Sequence, residues 1–304
     1  MWLGPNIGSS DLLGLFTRPE AWPTARARID VFKFYAAQVL DDVVACPACG
    51  PNRLSALQRA CAFDRLREWR IGIAIEVGAL KGWDCRAEIT SPLALEAVRR
   101  VRSAGAAVRY LALDEPLLGG SECGLDPEES LRRTTIFIRG LQGANPDLAI
   151  GDTEPYPVIS ADALIAWLGG LRREKVGLAF FHLDVDRRRA ARTGVDVVTD
   201  MRSLRDACRS AGIPFGVILW GDDASSDRAY SEDALRWTET VADALDGFPE
   251  HTLFQSWVTS ADGAQRVPAN LPEDDPAAYS HTRLVNEGLA LLRARERAAL
   301  ARVR

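Results

Sequence analysis

The sequence predicts a single α/β domain folded as a closed (β/α)8 barrel, the TIM-barrel architecture. Eight short apolar runs recur along the chain, and stretches with helical periodicity separate most of them. Strands that alternate with helices form a parallel sheet, and eight repeats are the number that closes a barrel. At least six of the runs end in a carboxylate, a histidine or a tryptophan, which is typical of an active site at the carboxyl ends of barrel strands. The runs begin, in chain order, at Trp2, Val31, Ile71, Val108, Leu148, Leu178, Phe215 and Leu253.

The composition fits one domain spanning residues 1–304. The hydrophobic fraction of 47% can fill a large core, and the net charge of -5 gives no basic face of the kind that nucleic acids require. No apolar run approaches the ~18 residues of a membrane span. The first predicted strand starts at Trp2, so no signal peptide precedes it. We therefore expect a cytoplasmic protein as the sequence stands, or a secreted one if an export signal has been removed.

Several helices have recognisable ends. Apolar residues recur at three-to-four spacing from Pro51 to Arg70, which predicts one helix lying on the sheet. Ser160 is expected to open a helix that ends near Leu171, and Ser231 one that ends near Leu245. The last helix is expected to run from about Tyr279 to the C-terminus.

The six cysteines leave alternatives open. Cys46 and Cys49 form a single CPAC after the second strand. Cys85 and Cys123 follow the third and fourth strands, so all four can lie on one face of the barrel, as a zinc site or with a disulfide between Cys85 and Cys123. A single CxxC without a matching second pair is only a weak signal of a metal site. Cys61 and Cys208 lie in helical patterns and are predicted to be in the core.

Alternation along each strand predicts which side chains face the barrel axis. Collected there, they form a carboxylate-rich pocket with aromatic walls, whereas a purely structural barrel fills its interior with branched aliphatic residues. Trp83 and Tyr156, which follow the third and fifth strands, are added as binding candidates. The predicted inward set is Lys33, Tyr35, Gly72, Ala74, Glu76, Ile150, Asp152, Glu154, Phe180, His182, Asp184, Asp186, Ile218, Trp220, Asp222, Leu253, Gln255 and Trp257.

The most specific motif is LALDEP, Leu111 to Pro116, at the end of the fourth strand. It resembles the Asn-Glu-Pro motif of the large clan of (β/α)8 retaining glycoside hydrolases. The resemblance implies that Glu115 is the general acid/base, with Asp114 standing where the clan has asparagine. The clan's nucleophile is a glutamate that ends strand seven, but here strand seven ends in Trp220-Gly221-Asp222. Trp257 matches the clan's tryptophan beneath the sugar ring.

Glycosidic cleavage needs one protonated carboxyl at the leaving oxygen and one ionised carboxylate at the anomeric carbon. Asp114, Glu76 and Glu154 are expected to crowd Glu115 and raise its pKa by like-charge repulsion. Two residues compete as the second acid. Asp222 ends the strand that faces strand four across a barrel, and Glu154 lies on the neighbouring strand.

Several of the candidate residues also have a purely structural interpretation. Glu115 can pair with Lys33 or a loop arginine, and His182 can be a hydrogen-bonded wall residue. Asp184 can pair with the arginines from Arg187 to Arg189. Trp83 and Trp220 can be ordinary core residues, although tryptophans at strand ends often stack on sugars.

The sequence thus predicts a glycoside hydrolase that acts on a carbohydrate substrate without a metal or organic cofactor. Two other functions stay open. The acids and one histidine would also suit a divalent-metal sugar isomerase or epimerase. A carbohydrate-binding pseudoenzyme would explain the missing glutamate of strand seven.

Overall fold

The computed structural model describes residues 1–81, 85–260, 262–263 and 265–303. Eight parallel strands follow one another in sequence order around a closed barrel, so the predicted fold is confirmed. The strands are β1 (Trp2–Gly4), β2 (Val31–Tyr35), β3 (Gly72–Val77), β4 (Val108–Asp114), β5 (Ala149–Tyr156), β6 (Phe181–Val185), β7 (Phe215–Leu219) and β8 (His251–Gln255).

Helices connect the strands and cover the outside of the barrel. Within the described parts of the chain, each is too short or too polar to cross a membrane. They are α1 (Gly14–Thr17), α2 (Pro23–Arg26), α3 (Ala36–Val39), α4 (Leu54–Arg59), α5 (Ala62–Glu68), α6 (Ala87–Ser103), α7 (Pro116–Glu122), α8 (Pro127–Ala144), α9 (Ala161–Arg173), α10 (Arg187–Thr193), α11 (Val197–Ser210), α12 (Asp227–Leu245) and α13 (His281–Val303).

Two helix predictions were wrong in detail. The single helix expected from Pro51 to Arg70 is two helices, because Cys61 adopts a left-handed conformation with φ of 55° between α4 and α5. Cys61 is also exposed rather than in the core, whereas Cys208 is buried as predicted. Helix α12 begins before Ser231, because the side chain of Ser226 accepts a hydrogen bond from the N–H of Ala229. Ser160 does cap α9.

The register of β5 decides which of its side chains reach the barrel axis. Residues paired across parallel strands point to the same face of the sheet. Thr153 pairs with Asp114 of β4 and with His182 of β6, so Thr153 points inward with them. The alternate set on β5 therefore faces the helices, and its predicted inward orientation was wrong for Ile150, Asp152 and Glu154.

Aromatic side chains fill the amino-terminal half of the barrel. The ring of Trp2 lies 5.0 Å from that of His182, which stacks on Phe180 and whose Nε2 lies 2.9 Å from Nδ1 of His251. Gly216 makes room for this cluster, since a Cβ there would lie 2.6 Å from the His182 ring. The open part of the barrel is consequently its carboxyl-terminal mouth.

Candidate active site

A pocket of about 250 Å³ opens at the carboxyl ends of the strands. Sites for drug-sized ligands typically measure about 300–1,000 Å³, so this pocket suits one sugar ring or another small polar molecule. Most of its lining was predicted from the sequence. The lining residues are Tyr35, Glu76, Lys81, Asp114, Glu115, Thr153, Asp184, Ile218, Gln255 and Trp257.

Glu115 occupies a special backbone position at the point where β4 passes into α7. It precedes the first residue of that helix, Pro116, and its φ of 51° lies in the left-handed region that non-glycine residues rarely adopt. Its N–H donates to the carbonyl of Thr153 at 2.8 Å, and its own carbonyl accepts from the N–H of Gly119 at 2.7 Å. Such conformations cost on the order of 1–3 kcal/mol and concentrate at functional sites.

Lys81, which the sequence analysis missed, forms ion pairs in the pocket. Its ammonium pairs with Glu115 and lies 3.5 Å from Oδ2 of Asp114. Lys81 follows β3 in a loop, where strand alternation makes no prediction. A compositional signal did exist, because the chain has 34 arginines and only three lysines. Two of these, Lys33 and Lys81, pair with carboxylates at the barrel axis and mouth.

Burial sets the protonation of the pocket carboxyls. It raises the pKa of Asp184 to about 8, with the charge of Glu115 adding to the effect. Burial and the charge of Glu76 raise the pKa of Asp114 to about 7. Burial also raises the pKa of Glu115, although Lys81 acts against it. For Lys81 burial alone would lower the pKa, but Asp114 and Glu115 outweigh it and raise the value.

A hydrogen-bonded group forms the wall near β2, β3 and β8. The amide Nε2 of Gln255 lies 3.2 Å from the hydroxyl of Tyr35 and 3.5 Å from Oε2 of Glu76. Beneath them the buried Lys33 forms an ion pair with Glu76. Burial, assisted by the charge of Glu76, raises the pKa of the Tyr35 hydroxyl well above its ordinary value. This wall offers a ligand hydrogen-bonding groups that are already fixed in place.

Two tryptophans form the aromatic wall. Trp257 lines the pocket, and the ring of Trp220 lies behind it at 4.8 Å between centroids. Arg187 lies over the other side of Trp220 at 5.4 Å. Trp220 is almost completely buried, so of these two tryptophans Trp257 is the one that offers its ring to a ligand.

Asp222 lies outside the pocket, contrary to its predicted role as second acid. Strand β7 ends at Leu219, so Asp222 belongs to the following loop. Its carboxylate pairs with Nε of Arg188 at 3.3 Å and accepts from the N–H of Arg188 at 3.1 Å. Asp222 therefore does not face Glu115 across the pocket.

Glu154 also points away from the pocket, as the register of β5 requires. Its Oε1 accepts a hydrogen bond from the N–H of Leu117 at 2.6 Å. Asp152, on the same face, accepts from the indole N–H of Trp167 at 2.8 Å. Both carboxyls serve the contact between β5 and the helices.

Two further binding candidates, Tyr156 and His182, do not reach the pocket in the described structure. The hydroxyl of Tyr156 donates to Asp200 on α11. His182 belongs to the aromatic cluster below, and burial lowers its pKa well below the ordinary value. Trp83 lies outside the described residues.

The four cysteines near the strand ends form two disulfides, Cys46–Cys49 and Cys85–Cys123. Within the described ranges, no three His, Cys, Asp or Glu side chains are grouped so that they could hold a metal ion. The Cys85–Cys123 bond joins Cys85, four positions after Lys81 in the sequence, to the residue that follows α7.

Comparison with known proteins shows the fold and leaves the reaction open. No protein-family model and no curated protein sequence matches the chain. A fungal β-1,4-galactanase is similar in structure, with a TM-score of 0.59 and 13% identity over 94% of this chain and 98% of that chain. Native xylanase 10B from Thermotoga maritima has a TM-score of 0.59 and 10% identity, covering 98% of this chain and 95% of its own.

The D-psicose 3-epimerase of Clostridium cellulolyticum H10 is similar too, with a TM-score of 0.52 and 9% identity over 97% of this chain and 99% of that chain. The expected resemblance to (β/α)8 glycoside hydrolases is thus confirmed for the fold. Because an epimerase shares that fold, the reaction has to be inferred from the pocket.

Proposed function

We propose that this chain is a glycoside hydrolase that hydrolyses or transfers a glycosidic bond in the pocket at the barrel mouth. The observation that carries the proposal is that Glu115 and Asp184 line one cavity and both have a raised pKa. Glycosidic cleavage needs two carboxyls at one site, of which one is protonated and the other ionised. Trp257 on the same wall provides a face for a sugar ring.

Asp184 replaces both earlier candidates for the second acid. Asp222 is engaged by Arg188, and Glu154 by the first turn of α7. Of the other pocket carboxyls, Glu76 is paired with Lys33 and Asp114 lies beside Lys81. Asp184 alone among the described lining acids has no cation within ion-pair distance.

The pocket properties favour a carbohydrate as the substrate. Its size suits a single ring, and fixed polar groups from Gln255, Tyr35 and Glu76 face an aromatic wall. Sugars need both kinds of contact, because their hydroxyls hydrogen-bond while their C–H faces stack. The proposed chemistry requires neither a metal nor an organic cofactor.

A carbohydrate-binding protein without turnover is the second candidate. The observation that favours it is the ion pair of Asp222, which leaves the end of β7 without a carboxylate facing the pocket. On this alternative the pocket would bind sugars with the same residues but cleave no bond.

A panel of nitrophenyl glycosides and natural disaccharides, in α and β forms, tests the proposal. We expect wild-type turnover of at least one of them, unaffected by chelator. Glu115→Gln and Asp184→Asn should each lower kcat/KM on the disaccharide by roughly a hundredfold or more. Asp222→Asn is the matched control and should stay within a few-fold. Sugar binding without wild-type turnover would favour the binding protein, and loss with chelator the metal enzyme.

A further inference from the structure

We infer that Lys81 decides which of the two carboxyls carries the reacting proton. It holds Glu115 ionised, so that Glu115 acts as base or nucleophile while Asp184 is the proton donor. This reverses the role that the resembled clan gives the glutamate of β4, and it rests on the proposed function.

The backbone of Lys81 is fixed against the helix that Glu115 caps. A Cβ at Gly119 of α7 would lie 2.6 Å from the backbone nitrogen of Lys81, and a Cβ at Gly78 would overlap its carbonyl oxygen. Only glycine at both positions permits this approach. The Cys85–Cys123 disulfide links Cys85, four positions further along the sequence, to the end of the same helix. The backbone of Lys81 is therefore fixed close to the start of α7, from where its ammonium reaches Glu115.

The ion pair opposes protonation of Glu115. A proton on this carboxyl would remove its pairing with an ammonium that the neighbouring carboxylates keep charged. The backbone of Glu115 is held by Thr153 and Gly119, so the carboxyl is presented from a fixed base. An ionised carboxylate fixed in this way can attack the anomeric carbon as a nucleophile or remove a proton from a water as a base. It cannot donate a proton.

Asp184 has the opposite surroundings. Its Oδ1 is buried and makes no hydrogen bond of ordinary geometry to the residues that the structure describes. The charge of Lys33 and the indole of Trp220 act against a raised pKa of Asp184, but burial outweighs them. Burial and the nearby charge of Glu115 favour its neutral form and raise its pKa to about 8. A neutral carboxyl with an unused oxygen at the pocket wall is what proton donation to a leaving oxygen requires.

The proposed step balances in protons and electrons. As the glycosidic C–O bond breaks, its electron pair moves to the leaving oxygen, which takes the proton of Asp184. Glu115 either bonds to the anomeric carbon or removes a proton from the attacking water. In the first case a water then attacks the anomeric carbon of the glycosyl ester on Glu115. This water gives one of its protons to the ionised Asp184, and Glu115 leaves as a carboxylate. In the second, Glu115 releases its proton to solvent and Asp184 regains one.

The first test measures the charge state of Glu115 and does not depend on activity. Carboxyl titration by carbon-13 NMR should show a higher midpoint for Glu115 in Lys81→Met than in wild type, by about one pH unit or more. Lys81→Arg keeps the charge and should titrate like wild type. Lys175→Met changes the third lysine, outside the pocket, and controls for loss of any lysine. An unchanged Glu115 midpoint in Lys81→Met would overturn the inference whatever the activity.

Kinetics then test the roles. Asp184→Asn should keep kcat/KM for a nitrophenyl glycoside, because this constant reports the bond-cleavage step and the leaving group needs little protonation. On an alkyl glycoside kcat/KM should fall at least about a hundredfold. Glu115→Gln should lose both. In Lys81→Met the acidic limb of the pH profile should move upward while the alkaline limb stays. Rescue of Glu115→Gln and not Asp184→Asn by the activated leaving group would overturn the assignment. If the Glu115 midpoint shifts as expected but the wild-type protein cleaves no glycoside, the proposed function is refuted. The assignment of charge to Glu115 would then still hold.

Discussion

The buried carboxyl of Glu154 accepts a hydrogen bond from the backbone N–H of Leu117 at 2.6 Å, and burial, with the charge of Asp152, raises its pKa well above the ordinary value. Leu117 lies two residues after Glu115, in the first turn of α7, where backbone N–H groups have no partner within the helix. Glu154 therefore supports this turn from the side of β5 that faces the helices. A carboxyl outside the pocket thus helps to position the one inside it.

This contact predicts that Glu154 is a structural residue. Glu154→Gln keeps an oxygen that can accept from Leu117, so kcat/KM should remain within a few-fold of wild type. Glu154→Leu removes the acceptor, loosens the start of α7 and should lower kcat/KM roughly tenfold through misplacement of Glu115. A loss of a hundredfold or more in Glu154→Gln, measured on the same glycosides as Glu115→Gln, would return Glu154 to the chemistry.

Trp257 should contribute to binding rather than to bond cleavage. Loss of its ring in Trp257→Ala removes a stacking surface worth about 0.5–1.5 kcal/mol, so KM should rise up to roughly tenfold with kcat little changed. Trp257→Phe keeps an aromatic face and should lie closer to wild type. Steady-state kinetics on the preferred glycoside measure both, and an unchanged KM in Trp257→Ala would remove this wall from the substrate site.

Asp152 should destabilise the fold as pH rises. Burial raises its pKa to about 7 in the folded chain, against about 3.9 when unfolded, so between these values the folded state binds more protons. The free energy of unfolding should then fall with rising pH, at no more than about 1.4 kcal/mol per pH unit.

Asp152→Asn cannot ionise and still offers an oxygen to the indole of Trp167. We expect it to be more stable than wild type at pH 8, with the difference disappearing near pH 4, in thermal or urea unfolding. Exposed Asp162 on α9 supplies the control, since Asp162→Asn should show no such trend. Equal pH dependence of Asp152→Asn and wild type would contradict the prediction.

The two disulfides should differ in their contribution to stability. Cys85 and Cys123 are separated by 38 positions, and Cys46 and Cys49 by three. Loop-closure entropy then predicts a loss of about 4 kcal/mol in the free energy of unfolding for the Cys85→Ser, Cys123→Ser double variant. The corresponding Cys46 and Cys49 variant should lose less. Denaturant unfolding of both under oxidising conditions measures the difference, and equal losses would argue against the entropic account.

The fold and most of the pocket lining could be predicted from the sequence. Both depend on the repeat of strands and helices and on the alternation of side chains along each strand. Glu76, Asp114 and Asp184 lie where alternation and strand ends put them. The errors arose where the pattern does not determine the geometry. Polarity suggested that Glu154 faces inward, but the pairing of Thr153 with Asp114 decides otherwise.

Loops account for the other errors. Asp222 lies three residues beyond the end of β7, so alternation no longer applies, and its pairing with Arg188 depends on how this loop meets the first turn of α10. Lys81 lies in a loop whose approach to α7 depends on the tertiary packing of two glycines. Neither contact is encoded in local spacing.

The central claim is that a sugar ring binds between Glu115 and Asp184, and a crystal structure tests it most directly. The substitution Glu115→Gln slows the reaction while keeping the shape of the pocket, so crystals of this variant can be soaked with a panel of oligosaccharides. The account predicts a ring stacked on Trp257, with the oxygen of the bond to be cleaved within hydrogen-bond distance of Asp184 and the anomeric carbon facing residue 115. A sugar bound elsewhere on the barrel, or one in the pocket whose glycosidic oxygen faces residue 115 and not Asp184, would contradict it.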